Sequence, residues 1–168
     1  PLHALHAGGT GCFLFGAHLG SFEILRSIAR DNGGLDVSVA MYPENARQLN
    51  DALAAINPGV MLDLIPLGQL DSMLAVHHRL KQGAMVGILA DRASGPDKYL
   101  ELPFLGSPAR FPTGPFRMAA MLRQPIFFMA GLYQGDNRYD IQFELLTDFS
   151  GPKPASRDDE VRTLLTQY

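Results

Sequence analysis

The chain has 168 residues, the size of one domain, and its 46% hydrophobic and 18% charged content is that of an ordinary globular protein rather than a disordered tail. A single cysteine excludes a disulfide framework and any multi-cysteine zinc or iron–sulfur site. A formal charge of −3 argues against nucleic acid as a partner, because binding phosphates requires a basic surface. Eleven of the fourteen basic residues are arginine. That bias suits carboxylate or phosphate recognition, and equally suits the codon usage of a GC-rich genome. The longest uncharged apolar stretch, Pro125 to Tyr133, has nine residues, about half a bilayer span, so no transmembrane helix is expected. No basic start followed by an apolar run marks a signal peptide. A chain that opens at Pro1 and stops inside a helical pattern reads as one domain, 1–168, cut from a longer protein whose flanks carry any anchor.

In chain order, Cys12 to Gly16 is a short apolar run with the character of a buried strand. Ser21 to Arg30 has apolar residues at helical spacing and is stopped by Asn32-Gly33-Gly34. Val37 to Met41 predicts a second strand, and Glu44 to Ile56 a helix ended by Asn57-Pro58-Gly59. Met61 to Ile65 predicts a third strand, and Leu70 to Lys81 a helix with Leu70, Met73, Leu74, His77 and Leu80 on one side. A fourth strand runs from Met85 to Ala90. The rhythm then breaks: Asp91 to Pro112 is irregular, with a short extended piece near Tyr99 to Leu105. Such a stretch inside a domain is more often functional than idle. A helix over Pro115 to Leu122, strands over Ile126 to Tyr133 and Tyr139 to Leu146, and a last helix over Arg157 to Tyr168 complete the pattern. The alternation predicts a single-domain α/β fold with a mainly parallel central sheet flanked by helices. Sites in such sheets form beyond the carboxyl ends of the strands, here near His18, Pro43, Pro66 and Asp91.

Three constellations stand out. In Gly16-Ala17-His18-Leu19-Gly20-Ser21-Phe22-Glu23, the glycines suit a tight strand-to-helix turn that folds Glu23 back onto His18. A carboxylate on one ring nitrogen fixes the tautomer and raises the basicity of the other, giving a general base. The bland reading is a glutamate favoured by the helix dipole beside a hydrogen-bonded rim histidine. Ile88-Leu89-Ala90-Asp91-Arg92 puts two charges at the end of an apolar strand, as a substrate contact or a rim salt bridge. Leu102 to Phe116 enters a helix through Thr113 or Gly114 as cap with Pro115 in the first turn, a start that can hold an anion or be merely structural.

Other patterns fail. Gly8-Gly9-Thr10-Gly11 precedes its strand and lacks the Lys-Ser/Thr ending of a phosphate loop, and no Gly-x-Ser-x-Gly elbow exists. His3, His6, His77 and His78 lack partners at metal-ligand spacing, so no metal is expected. Buried Cys12 should be inert.

His18, four intervening residues and Glu23 form the motif of the glycerolipid acyltransferase superfamily, and GAHLGSFE resembles its bacterial lipid A biosynthesis branch. The likeness continues at ILADRASG, where Arg92 replaces a glutamine, and through LPFLGSPARFPTGPFRMAAMLRQPIFF. The three blocks run in order from Gly16 to Phe128, about two-thirds of the chain. The glycerol-phosphate branch carries Glu-Gly-Thr-Arg where this chain has Thr113-Gly114-Pro115-Phe116, and no arginine of its second motif falls in Met61 to Leu70. A simple glycerol-phosphate acceptor is thus not expected.

The resemblance implies an O-acyltransferase that moves a fatty acyl group from an acyl carrier protein or coenzyme A thioester to a hydroxyl of a lipid or glycolipid. His18 would be the base and Glu23 its orienting partner. Gly20 and Ser21 would offer backbone donors, and Asp91, Arg92, Arg110, Thr113 and Gly114 would bind the substrate. No cofactor is called for. The implied setting is a membrane surface, at the cytoplasmic face of the bacterial inner membrane. A lipid- or carrier-binding module without activity, and an acyl thioesterase, are the alternatives.

Overall fold

The computed structural model describes residues 9–20, 36–56, 63–69, 71–92, 98–136 and 138–168. Six strands form one sheet in the order β3-β2-β4-β1-β7-β8, where β1 is Cys12–Gly20, β2 Val37–Met41, β3 Leu64–Pro66, β4 Met85–Leu89, β7 Ile126–Gly135 and β8 Arg138–Thr147. The first five named are mutually parallel, and β8 closes one edge antiparallel to β7. The remaining strands, β5 (Tyr99–Phe104) and β6 (Ser107–Pro112), form a separate antiparallel hairpin. Four helices are described: α1 Pro43–Ile56, α2 Ser72–Lys81, α3 Gly114–Leu122 and α4 Arg157–Gln167. The expected α/β class with a mainly parallel sheet is therefore the class observed. The helix expected over Ser21 to Arg30 lies outside the described residues.

The apolar run at Cys12 to Phe15 has no alternation because both faces of a central strand are covered. Phe13, Phe15, Val86, Ile88 and Ile126 form the main core with Val76 and Leu80 of α2, Phe116 and Ala119 of α3, and Val161, Leu164 and Leu165 of α4. Cys12, Leu14, Met85, Phe127 and Met129 make a second cluster on the other face. Phe15 meets Phe116 edge-on at 5.0 Å, joining sheet to helix.

Local chemistry sets the helix ends. Ser156 caps α4 by accepting from the Asp159 N–H at 3.1 Å, and Asp158, Asp159 and Glu160 occupy the first turn, where the dipole favours negative charge. Pro115 sits at the start of α3, and Arg123 ends it in the left-handed region at φ 49°. At the amino ends of β2 and β3, Arg79 bonds Asp36 and Asp63, each at 2.7 Å, and donates to fully buried Ser38 at 2.8 Å. That polar network ties α2 to the sheet's edge.

Three sequence expectations change. Helix α2 turns Ser72, Val76 and Leu80 inward and leaves Met73 and Leu74 exposed. On that inward side, about one position round from the most apolar one, the Ser72 hydroxyl donates to the Pro66 carbonyl at 2.7 Å. The irregular stretch before Pro112 is largely a hairpin, turned at Leu105 (φ 50°) and Gly106 (φ 83°). Finally, the chain does not turn at Gly16 but stays extended to Gly20, with a register shift against β7 between these two glycines. A Cβ at Gly16 would come within 3.2 Å of Leu89 Cδ2 and 3.3 Å of Met129 Cε, so close packing rather than a turn is what suits glycine there.

Candidate active site

The central strands β1 and β4 lie side by side, and their carboxyl ends carry His18 and Asp91. Their ladder ends at Gly16 opposite Leu89, after which the Ala90 N–H donates to the Gly16 carbonyl at 2.9 Å. In a continuing parallel ladder the next donor on β1, the His18 N–H, would reach the Ala90 carbonyl. Instead it donates to Asp91 Oδ2 at 3.0 Å. The second carboxylate oxygen, Oδ1, lies 2.7 Å from His18 Nδ1. One side chain thus takes over where a strand stops, and it grips both the backbone and the ring of the same histidine.

The grip decides the tautomer. An ionised carboxylate only accepts, so Nδ1 carries the hydrogen and Nε2 carries the lone pair. Arg92 Nε lies 3.2 Å from the same Nδ1. Two N–H groups cannot bond each other, so the shorter Asp91 contact is the hydrogen bond and Arg92 is a neighbouring cation. The His18 side chain is 44% exposed and that of Asp91 22%, so a solvent-reachable imidazole stands on a more sheltered carboxylate. Burial alone would push the Asp91 carboxyl up. The hydrogen bonds from the His18 ring and backbone, with the charge of the ring, outweigh it and hold the carboxyl below its ordinary value. An imidazole held in this way can take a proton at Nε2 and give it back.

The remaining expected site residues fall into three groups. Arg92 is brought to the pair. Glu23 and Ser21 lie outside the described residues, and Gly20 is the last residue of β1, paired with Gly131. Arg110 is held within its hairpin, its guanidinium 4.6 Å above the Tyr99 ring and its Nε 3.8 Å from Glu101. Thr113, which is buried, turns its hydroxyl away from the helix it precedes and donates to the Lys98 carbonyl at 3.1 Å, so it makes no side-chain cap for α3. Gly114 opens α3 with no atom near its absent side chain. Cys12 is fully buried, and burial pushes its thiol up to about 12, as expected of an inert cysteine. Among the described residues no group of three His, Cys, Asp or Glu is placed to hold a metal.

Sequence reasoning placed Asp91 at a strand end as a substrate contact, and the structure sets its carboxylate against His18. It lies 73 residues from His18, and only the strand order makes the two neighbours. The available signal was an apolar strand, Met85 to Leu89, running into a lone carboxylate.

Fold and site together define an α/β enzyme frame, with a histidine–carboxylate pair where parallel sheets bind their ligands. A model of the bacterial lipid A biosynthesis acyltransferase family matches residues 2–160, and the chain belongs to that family. It is accordingly an O-acyltransferase, acting in acyl transfer to a lipid A precursor. A search among curated proteins returned no match.

Proposed function

We propose that His18 is the general base of the acyl transfer, acting through Nε2, and that Asp91 is the carboxylate that orients it. The observation carrying this reading is the double grip of Asp91 on the His18 N–H and Nδ1. The acceptor hydroxyl gives its proton to Nε2 as its oxygen attacks the thioester carbonyl carbon. The tetrahedral oxyanion then collapses, the carbon–sulfur bond breaks, and the leaving thiolate takes the proton from Nε2. Asp91 offsets the imidazolium charge between these steps. A positioned base of this kind contributes about 10²–10⁴ in rate. No acyl-enzyme is needed. Glu23, given the orienting part by its spacing, lies outside the described residues, and in this reading the partner of Nδ1 is Asp91.

The donor in this reading is an acyl carrier protein or coenzyme A thioester, and the acceptor a hydroxyl of the lipid A precursor. Arg92, exposed beside the base, is the cation best placed for an anionic group of either substrate. Arg110, Thr113 and Gly114 belong to the acceptor side, along the path from the hairpin into α3.

The setting is the cytoplasmic face of the inner membrane, and the β5–β6 hairpin is the element that meets the bilayer. Among the described residues no helix is long and apolar enough to cross a membrane. At the hairpin tip Leu105 is 91% exposed, and Phe104 beside it is 55% exposed. Leucine is also a poor choice for a turn residue at positive φ, where Asn-Gly is favoured. A costly residue in full solvent is accounted for by a lipid surface that covers it.

Three outcomes separate the enzyme readings when the protein is incubated with acyl thioester and acceptor-bearing membranes. Acylated lipid A precursor formed by the wild type and absent with His18→Ala supports acyl transfer by His18. Release of free fatty acid alone makes the protein a thioesterase. Thioester binding without turnover makes it a binding module.

A further inference from the structure

Beyond the residues given a role above, one ionisable side chain reaches the base of the pair from the far end of the chain. Tyr168 follows α4 and lies past the residues that the family model matches. Its hydroxyl donates to the Gly16 carbonyl at 2.7 Å. The same carbonyl accepts from the Ala90 N–H at 2.9 Å. Gly16 is the last β1 residue in the β4 ladder and stands two residues before His18, while Ala90 adjoins Asp91. This doubly engaged oxygen therefore sits at the fork where the strands bearing His18 and Asp91 part.

The ring of Tyr168 is fixed independently of its hydroxyl. It packs edge-on against Phe116 at 5.4 Å and against Phe128 at 5.6 Å, one from α3 and one from β7. The hydroxyl is thus presented to Gly16 by helix and sheet together.

We infer that Tyr168 is a positioning residue for the His18–Asp91 pair, its bond to the Gly16 carbonyl holding the two strand ends at the separation their hydrogen bonds require. Burial, and next the negative charge of Asp91, raise the phenol well above its ordinary range, with a backbone hydrogen bond from Ala90 working the other way. The phenol therefore stays a protonated donor wherever the enzyme works. The inference rests on the reading of His18 as base only for its consequence in rate; the coupling of Tyr168 to the pair stands apart from it.

Tyr168→Phe tests it, since the ring contacts persist and only the hydroxyl goes. Three quantities are read: thermal midpoint, kcat and KM for acyl transfer, and the downfield proton signal of His18 Nδ1–H. Displacing a reacting group slightly is enough to cost up to about a hundredfold in rate. The expected result is a roughly 10- to 100-fold lower kcat, a KM within about twofold, and an Nδ1–H signal that moves upfield or broadens. Phe116→Leu is the control, loosening the ring packing while keeping the hydroxyl, and it should lower the midpoint more than the rate. If Tyr168→Phe leaves both kcat and the Nδ1–H signal unchanged, the inference is overturned. It is overturned equally if both variants lose rate only in step with midpoint. Should the wild type transfer no acyl group, the proton signal still decides the role of Tyr168, and only the reading of function fails.

Discussion

At the scale of single residues, a carboxylate that accepts from both the backbone and the ring of one histidine leaves that ring little freedom. Asp91 removes rotation about the ring's own axis as well as the choice of tautomer. Its pH behaviour follows. The carboxyl value is lower folded than unfolded, so the stabilisation from the grip is fully present above the unfolded value of about 3.9 and is lost as pH falls through the folded one. An NMR titration of the Asp91 carboxyl carbon should therefore show a midpoint below about 3.9, and His18→Ala should bring it back up. A midpoint at or above the ordinary value would mean that the grip is absent in solution. Both side chains were legible in the sequence as chemistry at strand ends. Their partnership was not, because three described strands and two described helices separate them along the chain.

At the scale of elements, the sheet was legible because a central parallel strand must be apolar on both sides, and Cys12 to Phe15 and Met85 to Ile88 are. The hairpin was not, since Pro103, Pro108 and Pro112 disguise two strands that need few ladder partners outside one another. Gly11 illustrates a second kind of loss. Its glycine run fails as a phosphate loop, and nothing local explains it. In the fold a Cβ there would lie 2.2 Å from the Leu80 carbonyl oxygen and 2.7 Å from that of Ala84, where β1 begins against the end of α2. Backbone cannot yield as a side-chain tip can. Gly11→Ala should therefore cost roughly 1–3 kcal/mol or more, lowering the thermal midpoint by about 2–4 °C per kcal/mol. Gly16→Ala meets only the mobile tips of Leu89 and Met129 at closest approach and should cost less. Equal midpoints for the two variants in a thermal melt would contradict this explanation.

At the scale of the whole molecule, polar groups divide between the two ends of the sheet. At the amino ends Arg79 is saturated by Asp36, Asp63 and Ser38, a network that holds strands to a helix. At the carboxyl ends, among the described residues, Asp91 engages only Nδ1 of the His18 ring, and the proposed base acts through the other nitrogen. The proposed membrane contact belongs to this scale as well. With a formal charge of −3, bulk attraction to anionic lipid is weak, so binding should depend on the apolar tip of the hairpin. In vesicle flotation, Leu105→Asp should reduce lipid association severalfold, salt should change it little, and transfer to a detergent-dispersed acceptor should be preserved. Unchanged flotation of Leu105→Asp would remove the hairpin from the interface.

The most direct test of the paired roles of His18 and Asp91 is a double-mutant cycle on the chemical step, measured as single-turnover acyl transfer with wild type, His18→Ala, Asp91→Asn and the pair. Residues that act as one unit are far from additive. Each single variant should lose about 10²–10⁴ in rate, the double variant should be no slower than His18→Ala, and all four should remain folded. Near wild-type turnover in Asp91→Asn, or losses that simply multiply in the double variant, would contradict the pairing.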